Sequence, residues 1–232
     1  MRRAREERDS SGAVLTPAQE RQVELLLAAL EADEHAPSAI RAVNLARDAH
    51  VADSLVALEL AVVRDARRIA DLGSGAGFPG AALAIALPLA HVNLVESQRR
   101  KCEFLRRACA AAGIENASVV WARAEEWREG ATGNDVVLAR ALAPQPVVLE
   151  YAAPLLRMGG ALVDWRGRRD REAERAGERA AALLGLRPTR LLRVVPFEGA
   201  SDRHLHVFTK DRATPARFPR RAGMARKRPL AG

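Results

Sequence analysis

A glycine-rich segment from Asp71 to Gly80 is where the sequence most clearly carries chemistry. It reads Asp-Leu-Gly-Ser-Gly-Ala-Gly-Phe-Pro-Gly, and it joins a short apolar stretch to one with helical spacing. Glycine lets the backbone turn sharply and lets a ligand approach closely, and a helix N-terminus offers free N–H groups. We therefore predict that the turn Gly73-Ser74-Gly75 binds a cofactor.

Two cofactor classes fit these glycines, and the acidic residue before them helps to separate the two. Gly75, Gly77 and Gly80 satisfy the G-x-G-x-x-G spacing of nicotinamide and flavin sites. Asp71, however, would repel a pyrophosphate, whereas it could attract a cationic amino-acid ligand directly or through water. S-adenosylmethionine carries an ammonium and a sulfonium, so Asp71 favours this cofactor without excluding a nicotinamide oxidoreductase.

Two further acidic segments follow the next two predicted strands. Glu96 ends the second strand, where a carboxylate could accept hydrogen bonds from both ribose hydroxyls of either cofactor. The third strand leads into residues 123–126, where the backbone of Ala124 and the Glu125 carboxylate could read an adenine edge. The alternative is that Glu125 and Glu126 cap a helix and face water.

Arg140 ends the fourth predicted strand, beside the expected position of a transferred methyl group. Methyltransferases that act on exocyclic amines commonly carry Asp or Asn followed by two prolines here, and this chain does not. A ring nitrogen such as guanine N7 presents an in-plane lone pair, so it needs alignment more than a general base. Arg140 could contact guanine O6, the cofactor carboxylate or a phosphate; alternatively, it forms an ion pair with Asp135 or Glu150.

Other polar groups carry a weaker signal. Arg166 follows the fifth strand on the same side of the sheet and is a candidate contact for an RNA phosphate. His50, Asp53 and Ser54 share helical spacing, and a hydrolase triad is formally conceivable. Triads are normally assembled from separate elements, however, and a nucleophile turn is missing from the sequence. We expect these three side chains to pack their helix against the rest of the fold or to form a wall of the cofactor pocket.

These groups require a sheet whose strand ends meet at one edge. Beyond residue 67, short apolar stretches alternate with helical ones, which predicts parallel strands, right-handed crossovers and helices on both faces. Two last strands, 190–195 and 205–209, predict an antiparallel hairpin at the sheet edge. The other predicted strands are 69–72, 92–95, 118–121, 136–139 and 161–165. The predicted helices are 17–32, 48–63, 79–87, 99–112, 146–156 and 169–184.

The charge pattern divides the chain further. We predict a mobile arm over 1–13, N-terminal helices over 14–64, the sheet core over 65–210 and a basic tail over 211–232. The net charge of +8 is typical of a protein that contacts a polyanion, although GC-rich coding could also produce it. Three prolines should keep the tail extended. The candidate RNA contacts in the tail are Arg220, Arg221, Arg226, Lys227 and Arg228.

Several protein classes are disfavoured by composition. The sequence lacks both an apolar run of membrane-spanning length and the apolar region of a signal peptide. Cys102 and Cys109 are seven residues apart in a helical stretch, which suits neither a disulfide nor a usual metal spacing. We therefore expect a cytoplasmic protein that binds no metal and no membrane.

Taken in order, these motifs resemble the family known as RsmG or GidB, which methylates N7 of guanine 527 in the 530 loop of 16S ribosomal RNA. The resemblance covers roughly residues 37 to 230, and each motif is weak alone. The motifs that carry it are residues 50–54, 71–80, 94–97 with the following 100–106, 123–126, Arg140-Ala, and the tail from 214 to 230.

The resemblance implies a class I, Rossmann-like S-adenosylmethionine-dependent methyltransferase with added N-terminal helices. It places Gly73, Phe78, Ala124, Glu125 and Arg140 at cofactor-contacting positions, and a further acid, Glu96, near the ribose. Two departures occur: Ala36-Pro-Ser38 replaces a usual Asn-Leu-Thr, and Arg166 replaces a usual lysine. The second change keeps the charge but alters its geometry.

The leading hypothesis is therefore a monomeric methyltransferase that acts on 16S ribosomal RNA or the small ribosomal subunit. Methylation of another RNA or of a small molecule is the first alternative. A nicotinamide oxidoreductase and a non-catalytic RNA-binding module are the others, and the module is disfavoured by the low content of aromatic residues.

Overall fold

A computed structural model describes residues 15–230, which build one seven-stranded sheet in the order β3-β2-β1-β4-β5-β7-β6. The fold class predicted from the sequence, a mostly parallel seven-stranded α/β sheet, is confirmed. The strands are β1 (Arg68–Leu72), β2 (His91–Glu96), β3 (Ala117–Trp121), β4 (Asn134–Arg140), β5 (Leu156–Arg166), β6 (Leu186–Val194) and β7 (Arg203–Lys210). The arm predicted for residues 1–13 lies outside the described residues.

Strand pairing follows the sequence of connections. The first five strands pair in parallel, whereas β7 is antiparallel to both β5 and β6. Helical crossovers explain the parallel part, and the short link between β6 and β7 explains the antiparallel hairpin. The hairpin therefore closes this edge as predicted, with β7 inserted beside β5 and β6 outermost.

The helices agree with the predictions except near the N-terminus, in α7, which ends four residues before the predicted 156, and in the tail, where α9 was not predicted. They are α1 (Pro17–Ala32), α2 (Val43–Ala46), α3 (Asp53–Leu55), α4 (Ala61–Arg64), α5 (Gly80–Ala86), α6 (Arg99–Ala111), α7 (Gln145–Ala152), α8 (Arg171–Leu184) and α9 (Met224–Lys227). Thr16 caps α1 through a reciprocal pair of hydrogen bonds with Gln19, and Pro17 occupies the first turn. None of the described helices is long and apolar enough to cross a membrane.

The single helix predicted over 48–63 is wrong. A π-helical turn spans Arg47–Ala52, and a 3-10 turn over Val56–Glu59 is followed by Leu60 in an extended conformation. The Ser54 hydroxyl donates a hydrogen bond to the His50 carbonyl oxygen at 2.5 Å, which competes with the regular helical pattern. The apolar spacing alone does not report these local interruptions.

Two apolar cores bury the faces of the sheet. One core packs α1, α5 and α6 against side chains such as Ile69 and Leu94. The other packs α7 and α8 against side chains such as Leu72 and Leu162. Burial of the strands on both faces explains their nearly continuous apolar sequences.

The C-terminal tail is docked, which corrects the prediction of an extended strap. Phe218 and Ala225 are buried in the core that contains α7, and residues 224–227 form the short helix α9. Arg220 makes three hydrogen bonds to the Glu150 carboxylate, two from its guanidinium and one from its backbone N–H, and Glu150 is 1% exposed. Pairing with an otherwise uncompensated buried charge holds the tail on α7.

Replacing Arg220 by alanine should release the tail, because the buried Glu150 carboxylate would lose its cation. Hydrogen–deuterium exchange over residues 215–230 measures this release, and we expect faster exchange in Arg220→Ala. The exposed neighbour Arg221 provides the matched variant, Arg221→Ala, in which exchange should stay as in the wild type. Equal exchange in both variants would contradict the docking role of the ion pair.

Candidate active site

The predicted cofactor groups gather at one edge of the sheet. Strand order reverses between β1 and β4, and a ligand crevice forms where crossovers leave neighbouring strands in opposite directions. The glycine loop follows β1, Glu96 ends β2, Ala124 and Glu125 follow β3, and Arg140 ends β4. The topology thus places all four segments at the carboxyl ends of adjacent strands.

The glycine loop has a backbone that other residues rarely adopt. Gly73, Gly75 and Gly77 have φ values of 71°, 56° and 96°. A Cβ at Gly73 would lie 2.6 Å from Leu142 Cδ1, so the loop approaches the segment after β4 closely. A Cβ at Gly75 would meet nothing nearer than an oxygen at 3.7 Å, so it would occupy space available to a ligand.

Asp71 stabilises the conformation of this glycine loop through hydrogen bonds. Its carboxylate is buried and accepts a hydrogen bond from the Gly80 N–H at 3.1 Å, and the Ser74 hydroxyl donates to the Asp71 carbonyl oxygen at 2.9 Å. Burial raises the pKa of Asp71 to about 6, and the hydrogen bond from Gly80 to the carboxylate opposes this rise. The Asp71 and Ser74 side chains are thus turned into the fold, and their predicted contact with a cofactor remains a prediction.

Glu96 is held between the glycine loop and the start of α6. Its carboxylate accepts hydrogen bonds from the N–H of Gly75 at 3.2 Å and from the N–H of Gln98 at 2.9 Å. The Gly75 bond uses Oε2, which retains a further acceptor site. The hydroxyls of a cofactor ribose in the crevice could donate hydrogen bonds to this carboxylate.

The third acidic segment forms a 3-10 turn over Ala124–Glu126. Glu125 is half-buried, and its Oε1 accepts a hydrogen bond from the Gly223 N–H of the tail at 3.0 Å. This contact joins the rim of the crevice to the tail. The sequence offers no signal for it, because the two residues are 98 positions apart.

Arg140 forms an ion pair with neither of the two acids predicted as alternatives. Its Nη1 lies 2.8 Å from Asp53 Oδ2, and the Arg140 and Asp53 side chains are 17% and 7% exposed. Asp135 instead pairs with Arg157, and Glu150 pairs with Arg220. The ion pair therefore joins the end of β4 to the N-terminal helices.

His50 completes this cluster. Its Nδ1 lies 3.4 Å from Arg140 Nη2, its Nε2 lies 2.8 Å from the Ser38 hydroxyl, and its ring stacks on Phe78 with centroids 5.0 Å apart. Burial, followed by the Arg140 charge, lowers the pKa of His50. A triad of His50, Asp53 and Ser54 does not form, since the buried Ser54 hydroxyl donates to the backbone.

The predicted RNA contacts occupy different environments. Arg166 lies 2.7 Å from the buried Asp164 carboxylate, and Arg226 donates a hydrogen bond to the Leu142 carbonyl oxygen. Arg220 is committed to the Glu150 ion pair, whereas Arg221, Lys227 and Arg228 are exposed. Within residues 15–230, no group of three His, Cys, Asp or Glu side chains is arranged to hold a metal ion.

The reversed strand order, the strained glycine loop and the acidic end of β2 define a class I S-adenosylmethionine-dependent methyltransferase. The fold is shared with the apo structure of the S-adenosylmethionine-dependent methyltransferase SibL, at a TM-score of 0.58 and 17% identity over 84% of this chain and 70% of that one.

Sequence comparison narrows the class to one family. The profile of GidB, described as rRNA small subunit methyltransferase G, matches residues 26–205. Ribosomal RNA small subunit methyltransferase G of Rubrobacter xylanophilus is 46% identical over 189 residues, which cover 79% of this chain and 72% of the relative. The Synechococcus elongatus enzyme of the same name is 34% identical over 93% of this chain and 91% of its own length. The chain belongs to the rRNA small subunit methyltransferase G family. Membership of this family argues against the alternative of a nicotinamide oxidoreductase.

The buried Asp71 predicts a specific pH dependence. Its pKa is raised in the folded state, so its contribution to stability is complete below about pH 4 and is lost as the pH rises through 6. Asp71→Asn removes this loss, and the difference in unfolding free energy between variant and wild type should move by about 2 kcal/mol towards the variant between pH 4 and 7. Urea unfolding at several pH values measures it.

Asp65→Asn is the matched control, because it removes one negative charge from an exposed position. Its stability relative to the wild type should change little with pH. Parallel stability curves for Asp71→Asn and the wild type would show that Asp71 is not the titrating group.

Proposed function

We propose that this protein transfers a methyl group from S-adenosylmethionine to N7 of a guanine in 16S ribosomal RNA. The observation that carries the proposal is the neutralised cluster of Arg140, Asp53 and His50 at the end of β4. The Asp53 carboxylate is paired, and the lowered pKa of His50 leaves its ring uncharged. Such a cluster suits an acceptor that has a lone pair and no proton to lose.

The residues of the crevice have separate tasks in this reaction. Gly73 and Gly75 let the loop backbone approach the cofactor, Glu96 binds its ribose, and the turn at Ala124 and Glu125 borders its adenine. When bound, S-adenosylmethionine supplies an electrophilic methyl group. Transfer of this group to guanine N7 would leave the electron pair of the broken carbon–sulfur bond on sulfur. The ring nitrogen becomes positively charged and no proton transfer is required.

Arg140 positions the guanine in this proposal. Its guanidinium carries five N–H donors, and the contacts with Asp53, His50 and the Ala49 carbonyl oxygen occupy three of them. A remaining donor directed at O6 would orient the base and leave N7 accessible to the methyl group.

An RNA substrate is supported by the charge around the crevice. Arg221, Lys227 and Arg228 are exposed on a tail that contacts the crevice rim through Gly223 and Glu125. A docked basic surface binds phosphates without the ordering cost of a flexible segment. We place the protein in the cytoplasm as a monomer that acts on free 16S ribosomal RNA or on the small ribosomal subunit.

Arg140→Gln tests the proposed role of the guanidinium. We expect kcat to fall about 100-fold because the guanine loses its orienting donor. Single-turnover methyl transfer with saturating cofactor measures the rate, and calorimetry measures cofactor affinity.

Arg157→Gln is the matched variant. Like Arg140, Arg157 pairs with a carboxylate, but its partner is Asp135, at the opposite end of β4 from Arg140. It should keep the wild-type rate. Unchanged turnover and cofactor affinity in Arg140→Gln would remove Arg140 from the site.

Exposed tail charges should determine the salt dependence of RNA binding. The double variant Arg221→Gln, Lys227→Gln keeps the Arg220 ion pair, so the tail stays docked. Each lost phosphate contact should reduce the slope of log affinity against log salt by about 0.7 to 0.9. Arg67→Gln with Arg68→Gln removes the same charge at the amino end of β1, at the opposite end of this strand from the crevice. This double variant should leave the slope unchanged. Equal slopes in both double variants would refute a tail contact.

A further inference from the structure

A cavity of about 240 Å³ lies outside the crevice, between α8 and the hairpin formed by β6 and β7. Apolar side chains form part of its wall, among them Pro188, Leu191 and Phe208. Polar and charged side chains form the rest of the wall, among them Arg169, Glu174, Glu178, Arg190 and His206. This combination of apolar surface and polar groups is typical of a small-ligand site.

The buried imidazole of His206 offers a hydrogen-bond donor to this cavity. Gln145 Nε2 donates to the Asp164 carboxylate at 3.2 Å, which fixes the orientation of the amide. The same Nε2 lies 3.2 Å from His206 Nδ1, which is therefore an acceptor, and the ring proton is on Nε2. His206 Nε2 is buried and has no hydrogen-bond partner among residues 15–230. Burial lowers the pKa of His206 to about 4, so the ring is neutral at pH 7.

The acidic residues of the cavity define the chemistry of the ligand. Glu174 is engaged by Arg169 at 2.7 Å, and Glu178 adds a second carboxylate. Arg169 and Arg190 also line the cavity, so its formal charges balance and do not favour a simple anion. A nucleobase edge carries both acceptors, for the His206 N–H and a guanidinium, and donors for a carboxylate. Pro188 and Leu191 offer apolar surface to the face of a heterocycle.

The cavity is close to the site of methyl transfer. His206 pairs in register with Asp164, two residues before the end of β5, and β7 is the second strand from β4. Two strand spacings are roughly 10 Å. Gln145, which contacts His206, begins α7 five residues after Arg140. An RNA strand that leaves the crevice towards β7 would reach the cavity.

We propose that this cavity receives an unpaired nucleobase of the RNA near the methylated guanine. The inference rests on the proposed RNA substrate and adds a second position at which the RNA is held. Unpaired bases of RNA are commonly bound in this way, by stacking and by hydrogen bonds to their edges.

Binding of short RNA tests the proposal directly. The probes are fluorescein-labelled single-stranded hexamers of A, C, G and U, together with a hexamer of the same backbone that lacks bases. Fluorescence anisotropy gives the dissociation constants. At least one base-bearing hexamer should bind the wild type about tenfold more tightly than the abasic one. Equal binding of all hexamers would overturn the proposal and indicate a phosphate site.

Variants locate the binding. His206→Leu should weaken the preferred hexamer about tenfold, because the cavity loses its N–H donor. His204→Leu is the matched control, since His204 is equally buried on the same strand and does not line the cavity. Leu191→Ala, compared with Leu183→Ala, repeats the test at half-exposed positions where folding is not at risk. We expect about threefold weaker binding in Leu191→Ala, and no loss in either cavity variant would overturn the proposal.

Methyl transfer to ribosomal RNA, measured in parallel, separates the two hypotheses. A protein that prefers base-bearing hexamers through His206 but transfers no methyl group to RNA retains the nucleobase site and loses the proposed function. A protein that methylates RNA but shows no difference between hexamers retains the function and loses the nucleobase site.

Discussion

The reversal of strand order between β1 and β4 is the constraint on which the rest of the structure depends. Crossovers leave these two adjacent strands in opposite directions, so their carboxyl ends open into a crevice. The other features of the site position groups around this crevice. The glycines let the β1 loop enter it, the buried Asp71 holds that loop to α5, and Glu96 fixes its far side. Gly73 and Leu142 then bring the loops after β1 and β4 into contact.

Charge balance is the second organising feature, because this basic chain has to admit a cationic cofactor and a polyanion to one edge. The Asp53 carboxylate neutralises Arg140, and Glu150 neutralises Arg220. Both ion pairs are largely buried. One attaches the N-terminal helices to β4 and the other attaches the tail to α7, so they contribute position as well as charge. The exposed charges of the tail lie outside the crevice, where we propose that they bind phosphates. The N-terminal helices and the C-terminal tail thus complete the site from two sides.

The sheet was predictable because its signals are local. Apolar stretches, the capping box of α1 and the glycines at the first turn each occur within a few residues, and strand–helix alternation permits few topologies. The partners of Arg140 and Glu125 were not predictable, since Asp53 and Gly223 lie 87 and 98 residues away. The breaks in the helix at 47–60 and the docking of the tail depend likewise on tertiary contacts. The sequence therefore predicted correctly which strand ends carry the crevice residues. It did not predict the ion pairs that orient them.

The most direct measurement is methyl transfer from isotope-labelled S-adenosylmethionine to small ribosomal subunits that lack their own modification, followed by mapping of the labelled nucleotide. A crevice built around a neutralised arginine, with no free base required, predicts label at N7 of a single guanine in 16S ribosomal RNA. Binding of the cofactor without any label in the RNA would contradict the proposed reaction, and label on an exocyclic amine would contradict the role given to the cluster of Arg140, Asp53 and His50.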